Sequence, residues 1–290
     1  MKKLIFNLIV CLIFFSSNAQ SLDAYRIFTS KEEVINFESM KEYLLEKDVI
    51  LFGELHDNPI AHWLQLELTI ATYETKSNSL VLGAEMFEAD NQLIIDEYFQ
   101  GYINQGRFEA ETRLWSNYKT DYKPILEFAK DKKLNFIATN IPRRYASMVS
   151  GGGLEALEKL SDDAKKFIAP LPIEYDPELP SYKAMLSMMG MPGKGTESQN
   201  FPKAQAIKDA TMAWNISRNI KENGIFIHFH GTYHSNNYEG IVWYLKKYQP
   251  NINMATIATV LQDGTDKLEE ENFGLADFII VVPQRMTRTY

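Results

Sequence analysis

Six short apolar runs punctuate the chain, each bounded by turn-forming residues: VILF (49–52), SLVLGAEMF (79–87), LNFIATNI (134–141), GIFIHFHG (224–231), NMATIATVL (253–261) and DFIIVVP (277–283). They are apolar almost throughout and rich in Val and Ile, as strands covered on both faces are. Between the first two lies NPIAHWLQLELTIATYETK (58–76), in which Asn58 suits a helix N-cap and Pro59 the first helical position. Strand, helix and strand in repetition predict an α/β fold, a parallel β-sheet flanked by helices.

Two stretches break the alternation. Residues 88–128 read as helical and carry Tyr98, Phe99, Tyr102, Phe108, Trp115, Tyr118 and Tyr122. Residues 151–222 open with GGG and hold Met185, Met188, Met189 and Met191 close together. Such segments exceed a simple connection, so they are expected to form an inserted helical lobe or lid. Its methionines read as packing rather than as ligands.

The first residues follow a different logic. MKK, the apolar run LIFNLIVCLIFF and the small residues of SSNAQ have the layout of a secretory signal peptide, residues 1–19, with cleavage expected between Ala19 and Gln20. The apolar run is too short to span a bilayer. The expected product, residues 20–290, is exported to the periplasm or cell exterior. Val10 is a poor residue before a lipidated cysteine, so Cys11 reads as filler of the apolar run and membrane attachment is not expected. With Cys11 removed no cysteine remains, and any metal would need N or O ligands or methionine sulfur.

Hydrophobic residues at 45% and charged residues at 23% are the balance of a globular protein. The formal charge of -8, with no basic run in view, argues against nucleic acid as a partner.

In an open parallel sheet, ligands bind beyond the carboxyl ends of the strands. The first predicted strand ends in Gly53, Glu54, His56 and Asp57, and the second carries Glu85. The third ends in Asn140, Arg143, Arg144 and Tyr145, the fourth in His228, His230, Tyr233 and His234. All five histidines, His62 included, fall at or just beyond two strand ends. Imidazoles beside carboxylates suit a metal site or a general acid–base pair. Arg143 or Arg144 could grip a carboxylate through paired hydrogen bonds. Glu85, on an interior strand, needs a partner once desolvated. Taken singly, each residue has a plainer reading: Asp57 or Asn58 as a cap, His62 as a packed helix residue, Arg143 as the partner of a structural acid. His228 and His230 share one strand face, and at least one reads as a satisfied core histidine.

The segments FGELHDNPIAHWLQLEL, GAEMFEADNQ, ATNIPRRY, KAQAIKDATMAWNI and HGTYHSNNYEGI resemble the ChaN-like haem-binding proteins, within a superfamily that includes erythromycin esterase, TraB and Tiki proteins. The matches run from about residue 48 to 260. The most specific are Gly-Glu-x-His-Asp and the block of Gln205, Asp209, Met212 and Ala213. The resemblance implies an exported α/β protein of haem or iron acquisition. It implies a tyrosine on the haem iron, with Tyr145, Tyr182 and Tyr233 as candidates, His56, His62 and His234 nearby, and Arg143 or Arg144 on a propionate. It also implies a possible homodimer. The Tiki relatives imply the alternative, a hydrolase in which Glu54, His56, Glu85 and His234 bind a divalent metal or act on water. The closeness to the ChaN branch favours haem.

Overall fold

The computed structural model describes residues 22–189 and 200–290. The expected signal peptide and Met191 lie outside them.

All six apolar runs become strands: β3 (Val49–Glu54), β4 (Leu80–Glu88), β5 (Asn135–Asn140), β6 (Ile225–Gly231), β7 (Met254–Gln262) and β8 (Phe278–Pro283). They pair in parallel, and two short antiparallel strands, β1 (Arg26–Thr29) and β2 (Val34–Ile35), extend the sheet beyond β8. The order is β2-β1-β8-β7-β3-β6-β4-β5. Because β6 slots between β3 and β4, segments distant in sequence are adjacent at one edge: Gly53 pairs with His230, Glu54 with Gly231, and Gly83 with His228.

Both faces are covered, which explains the unbroken apolar runs. On one face, Ile50, Phe52, Leu82 and Ile227 pack against α1 (Phe37–Leu44), α2 (Pro59–Lys76), α3 (Gln92–Phe99), α4 (Gln105–Glu111) and α5 (Lys123–Asp131). On the other, Val49, Leu51, Val81 and Phe226 meet α9 (Phe201–Ser217) and α10 (Ile241–Tyr248). Outside α9 lie α6 (Arg143–Gly152), α7 (Asp162–Lys165) and α8 (Pro180–Met189), with a satellite core of Ile141, Val149, Leu157, Ile168 and Ile207. Asn58 caps α2 by accepting from Ile60 N and Ala61 N at 3.1 and 3.0 Å, with Pro59 behind it.

The β5 edge is closed by a side chain. Gln92 donates to Phe136 O at 2.9 Å and accepts from Ala138 N at 2.7 Å, taking the backbone groups a further strand would use. Among the described residues, no helix is long and apolar enough to cross a membrane.

Candidate functional site

A one-residue step along β3 or β4 turns a side chain to the opposite face of the sheet. Glu54 therefore points toward α2 and Glu85 toward α9, and each is buried with its own set of partners.

Around Glu54, Gln65 of α2 donates to Oε2 at 2.6 Å, Tyr122 donates to Oε1 at 2.8 Å, and His56 Nδ1 lies 2.9 Å from Oε1. His62, one turn before Gln65 on the same face of α2, places Nδ1 3.4 Å from Oε2, an ion-pair contact rather than a hydrogen bond. A single π-helical turn, Tyr118–Tyr122, delivers Tyr122 and also Asp121, whose Oδ2 is 3.5 Å from His62 Nε2. Burial opposes ionisation of Glu54, but His62 and His56 outweigh it and hold the carboxyl well below the usual range. Burial likewise pulls His62 down, and Glu54 and Asp121 reverse this, raising it to about 9.

Around Glu85, Gly231 N donates to Oε2 at 2.8 Å and His234 Nε2 is 3.2 Å from Oε1. The pairing of β4 with β5 shifts register between Ala84 and Glu88, the stretch that carries Glu85. His234 Nδ1 is hydrogen-bonded to Asp209, whose other oxygen accepts from Tyr182 at 3.0 Å. Held between two carboxylates, His234 rises to about 10 against the pull of burial. Burial also keeps Glu85 from ionising freely, yet His234, His56 and the Gly231 amide hold it low.

The two systems meet at His56. Its Nε2 lies 4.0 Å from Glu85 Oε2, and its ring packs edge-on against Trp115 with centroids 4.8 Å apart. Burial lowers its pKa, and the bond to Glu54 with the fields of Glu85 and Glu54 more than compensates, so the net direction is upward. Gly231 makes this possible, since a Cβ there would sit 2.7 Å from His56 Nε2.

These groups line a cavity of about 740 Å³ at the carboxyl ends of β3, β4 and β6. His56, Glu85, Arg143, Tyr233 and His234 face it, joined by Trp115, Asn140, Gln205, Lys208 and Tyr290. Tyr233 is 65% exposed. Glu88 accepts from the Arg143 amide at 3.1 Å and binds the Arg143 and Arg113 side chains, leaving the Arg143 terminal nitrogens unbonded among the described residues. Lys208, half-buried, has no hydrogen bond or ion pair among the described residues.

Other predicted residues lie elsewhere. Arg144 binds Asp90 and covers the ring of Tyr145, whose hydroxyl accepts from it at 3.2 Å; neither lines the cavity. Tyr182 is 1% exposed and spent on Asp209, and His62 sits behind Glu54. His228 and His230 are both core residues in a closed relay. His228 Nε2 is 2.7 Å from Thr139 Oγ1, the two Nδ1 atoms are 3.0 Å apart, and His230 Nε2 is 2.9 Å from Ser235 Oγ. Burial drives both neutral, His230 down to about 3.

Among the described residues, no group of three or more His, Cys, Asp or Glu side chains is arranged to hold a metal ion. Glu54 is already saturated by Gln65, Tyr122 and His56. The set Glu54, His56, Glu85 and His234 therefore does not fit the divalent metal expected under the hydrolase alternative.

A larger cavity, about 860 Å³, lies over the β5 edge and gathers Lys130, Lys133, Lys166 and Arg218, a basic lining that the sequence scatters too widely to reveal. It contains no histidine.

Sequence reasoning overlooked Lys208 and Tyr290; it placed Trp115 and Tyr122 only among the aromatics of the helical segment and met Gln65 only as part of the family match. Gln65 left a trace, a polar residue on the apolar face of α2 three positions after His62. Tyr290 left none: its segment is pinned by Thr289 N donating to Asp57 O at 2.9 Å and Arg288 to Asp57 at 3.1 Å.

A family described as haem-binding uptake, Tiki superfamily, ChaN matches residues 40–245. The chain belongs to that family. ChaN of Campylobacter jejuni, whose structure is described as cofacial heme binding, is similar in fold at 17% identity, with a TM-score of 0.67 over 89% of this chain and 96% of that one. A mutant erythromycin esterase in its open conformation is similar at 9% identity, with a TM-score of 0.50 over 90% of this chain and 98% of that one. A search of curated proteins returned no match. This ChaN-family protein thus has the α/β fold of that structure, and its family is one of haem-binding uptake proteins.

Proposed function

We propose that this protein binds haem at the cavity between β3, β4 and β6, with Tyr233 on the iron, as an exported component of haem acquisition. The carrying observation is the 65% exposed Tyr233 phenol beside a cavity that also holds two under-used cations. The residues suit the group. A phenolate is an established axial donor to haem iron. Arg143 and Lys208 supply positive charge for propionates, and Leu114, Trp115 and Ile141 supply apolar wall. Of the three candidate tyrosines, Tyr145 and Tyr182 are buried and engaged, at 8% and 1% exposure.

The carboxylate–histidine systems beneath serve this role as well. Each floor carboxylate is paired with a histidine, Glu54 and Asp121 with His62, Glu85 and Asp209 with His234, and His56 sits between Glu54 and Glu85, so the floor does not present bare negative charge against the cations at the rim. The supporting experiment is a haem titration followed by Soret absorbance on wild type and Tyr233→Phe. Saturable binding lost in the variant supports the reading; equal binding by both removes Tyr233 from it.

One observation favours a second reading, metal-free hydrolysis. Glu54 on His56 Nδ1 leaves Nε2 facing the cavity, the orientation of an acid–base histidine. Ester turnover by wild type that disappears in His56→Ala, with haem binding absent, would select it.

A further inference from the structure

Tyr233 lines a second cavity as well, a groove of about 530 Å³ bordered by Leu55, Met185, Val260, Leu261 and Leu275 near the end of β7 and along α8. Tyr233 is the residue the two cavities share. They differ in chemistry: Arg143 and Lys208 line the first, whereas the second has no basic side chain in its lining and a single acidic one, Glu271.

We propose that this groove is a second subsite that receives the apolar edge of the porphyrin. The inference rests on the haem reading above and deepens it. Haem is two-ended, with both propionates on one edge and vinyl and methyl groups on the other. A macrocycle ligated by the Tyr233 oxygen and spanning both cavities would have its two edges in surroundings of opposite character. Propionates in the groove would lose water and meet no cation, while Glu271 would repel them. Vinyl groups there bury apolar surface against Met185, Leu261 and Leu275. The two subsites therefore fix which way round the porphyrin binds. Met185 also gains a purpose: α8 contributes a wall of the ligand site.

The test compares protohaem with deuterohaem, in which hydrogens replace the vinyl groups, on wild type, Met185→Glu and Leu275→Asp, with circular dichroism melts to confirm folding. Met185 lies half-buried on α8, so its substitution spares the core. Wild type is expected to prefer protohaem, and each variant to bind protohaem about tenfold more weakly with that preference gone. Folded variants that keep wild-type affinity and preference overturn the subsite while leaving Tyr233 ligation standing. Failure of wild type to bind either porphyrin overturns the haem reading, and the subsite with it.

Discussion

Replacing Glu54 by Gln keeps the shape of the side chain and removes the charge that holds His62 and His56. His62 is buried and has a pKa of about 9 against an ordinary 6.5. At 1.36 kcal/mol per pH unit this corresponds to about 3 kcal/mol of preferential stabilisation of the native state at pH below 6.5. Asp121 supplies part of it at 3.5 Å, so the share that depends on Glu54 is about 2 kcal/mol. A raised native pKa means that this stability is complete below pH 6.5 and vanishes as pH rises through 9. Glu54→Gln is therefore expected to lose about 2 kcal/mol more at pH 7 than at pH 10, where His62 is neutral in both proteins. Urea unfolding followed by far-UV circular dichroism at the two pH values measures it. A destabilisation of equal size at both would refute the charge argument and assign the whole effect to the lost hydrogen bonds with Tyr122 and Gln65.

Three further expectations follow from the same contacts. In the wild type, Glu54 and Glu85 are held low and their stability is lost as pH falls below about 4.5, while His62 and His234 are held high and theirs is lost as pH rises above about 6.5, so the melting temperature should be highest at about pH 5–6 and fall on either side in a pH-resolved melt. Gly231→Ala puts a methyl 2.7 Å from His56 Nε2, a side chain able to move, so haem affinity should drop while the circular dichroism spectrum is retained. Thr139→Val strips His228 Nε2 of its partner in a fully buried relay, and the expected cost in urea unfolding is about 1–3 kcal/mol.

The sheet was legible because both its faces are covered, which leaves each strand as a continuous apolar run with turn residues at its ends. β1 and β2 were not. They span four and two residues and include Arg26 and the exposed Val34; β1 depends on pairing with β8, a partner some 250 residues away that no local pattern announces, and β2 on pairing with β1. At the site, Glu54, His56, Glu85, Arg143, Tyr233 and His234 could be read because strand ends concentrate ligands. Gln205 and Asp209 were visible as a family motif but without a role, since a helix does not declare which of its polar residues turn inward. The role of His228 and His230 was half-visible: alternation placed them on one face, but only the approach of Thr139 and Ser235 closes the relay. Tyr145 and Tyr182 resembled Tyr233 in sequence because burial, which separates them, is set by α6 and α8 packing on α9.

Tyr233, rather than the comparably exposed Tyr290 that lines the same cavity, is the phenol proposed to carry the haem iron. Resonance Raman spectroscopy of the haem-loaded protein reads that bond directly. Iron–phenolate modes in wild type that disappear in Tyr233→Phe, and persist in Tyr290→Phe, Tyr145→Phe and Tyr182→Phe, are the predicted result. A haem complex with no phenolate signature, or one that survives Tyr233→Phe unchanged, would contradict it.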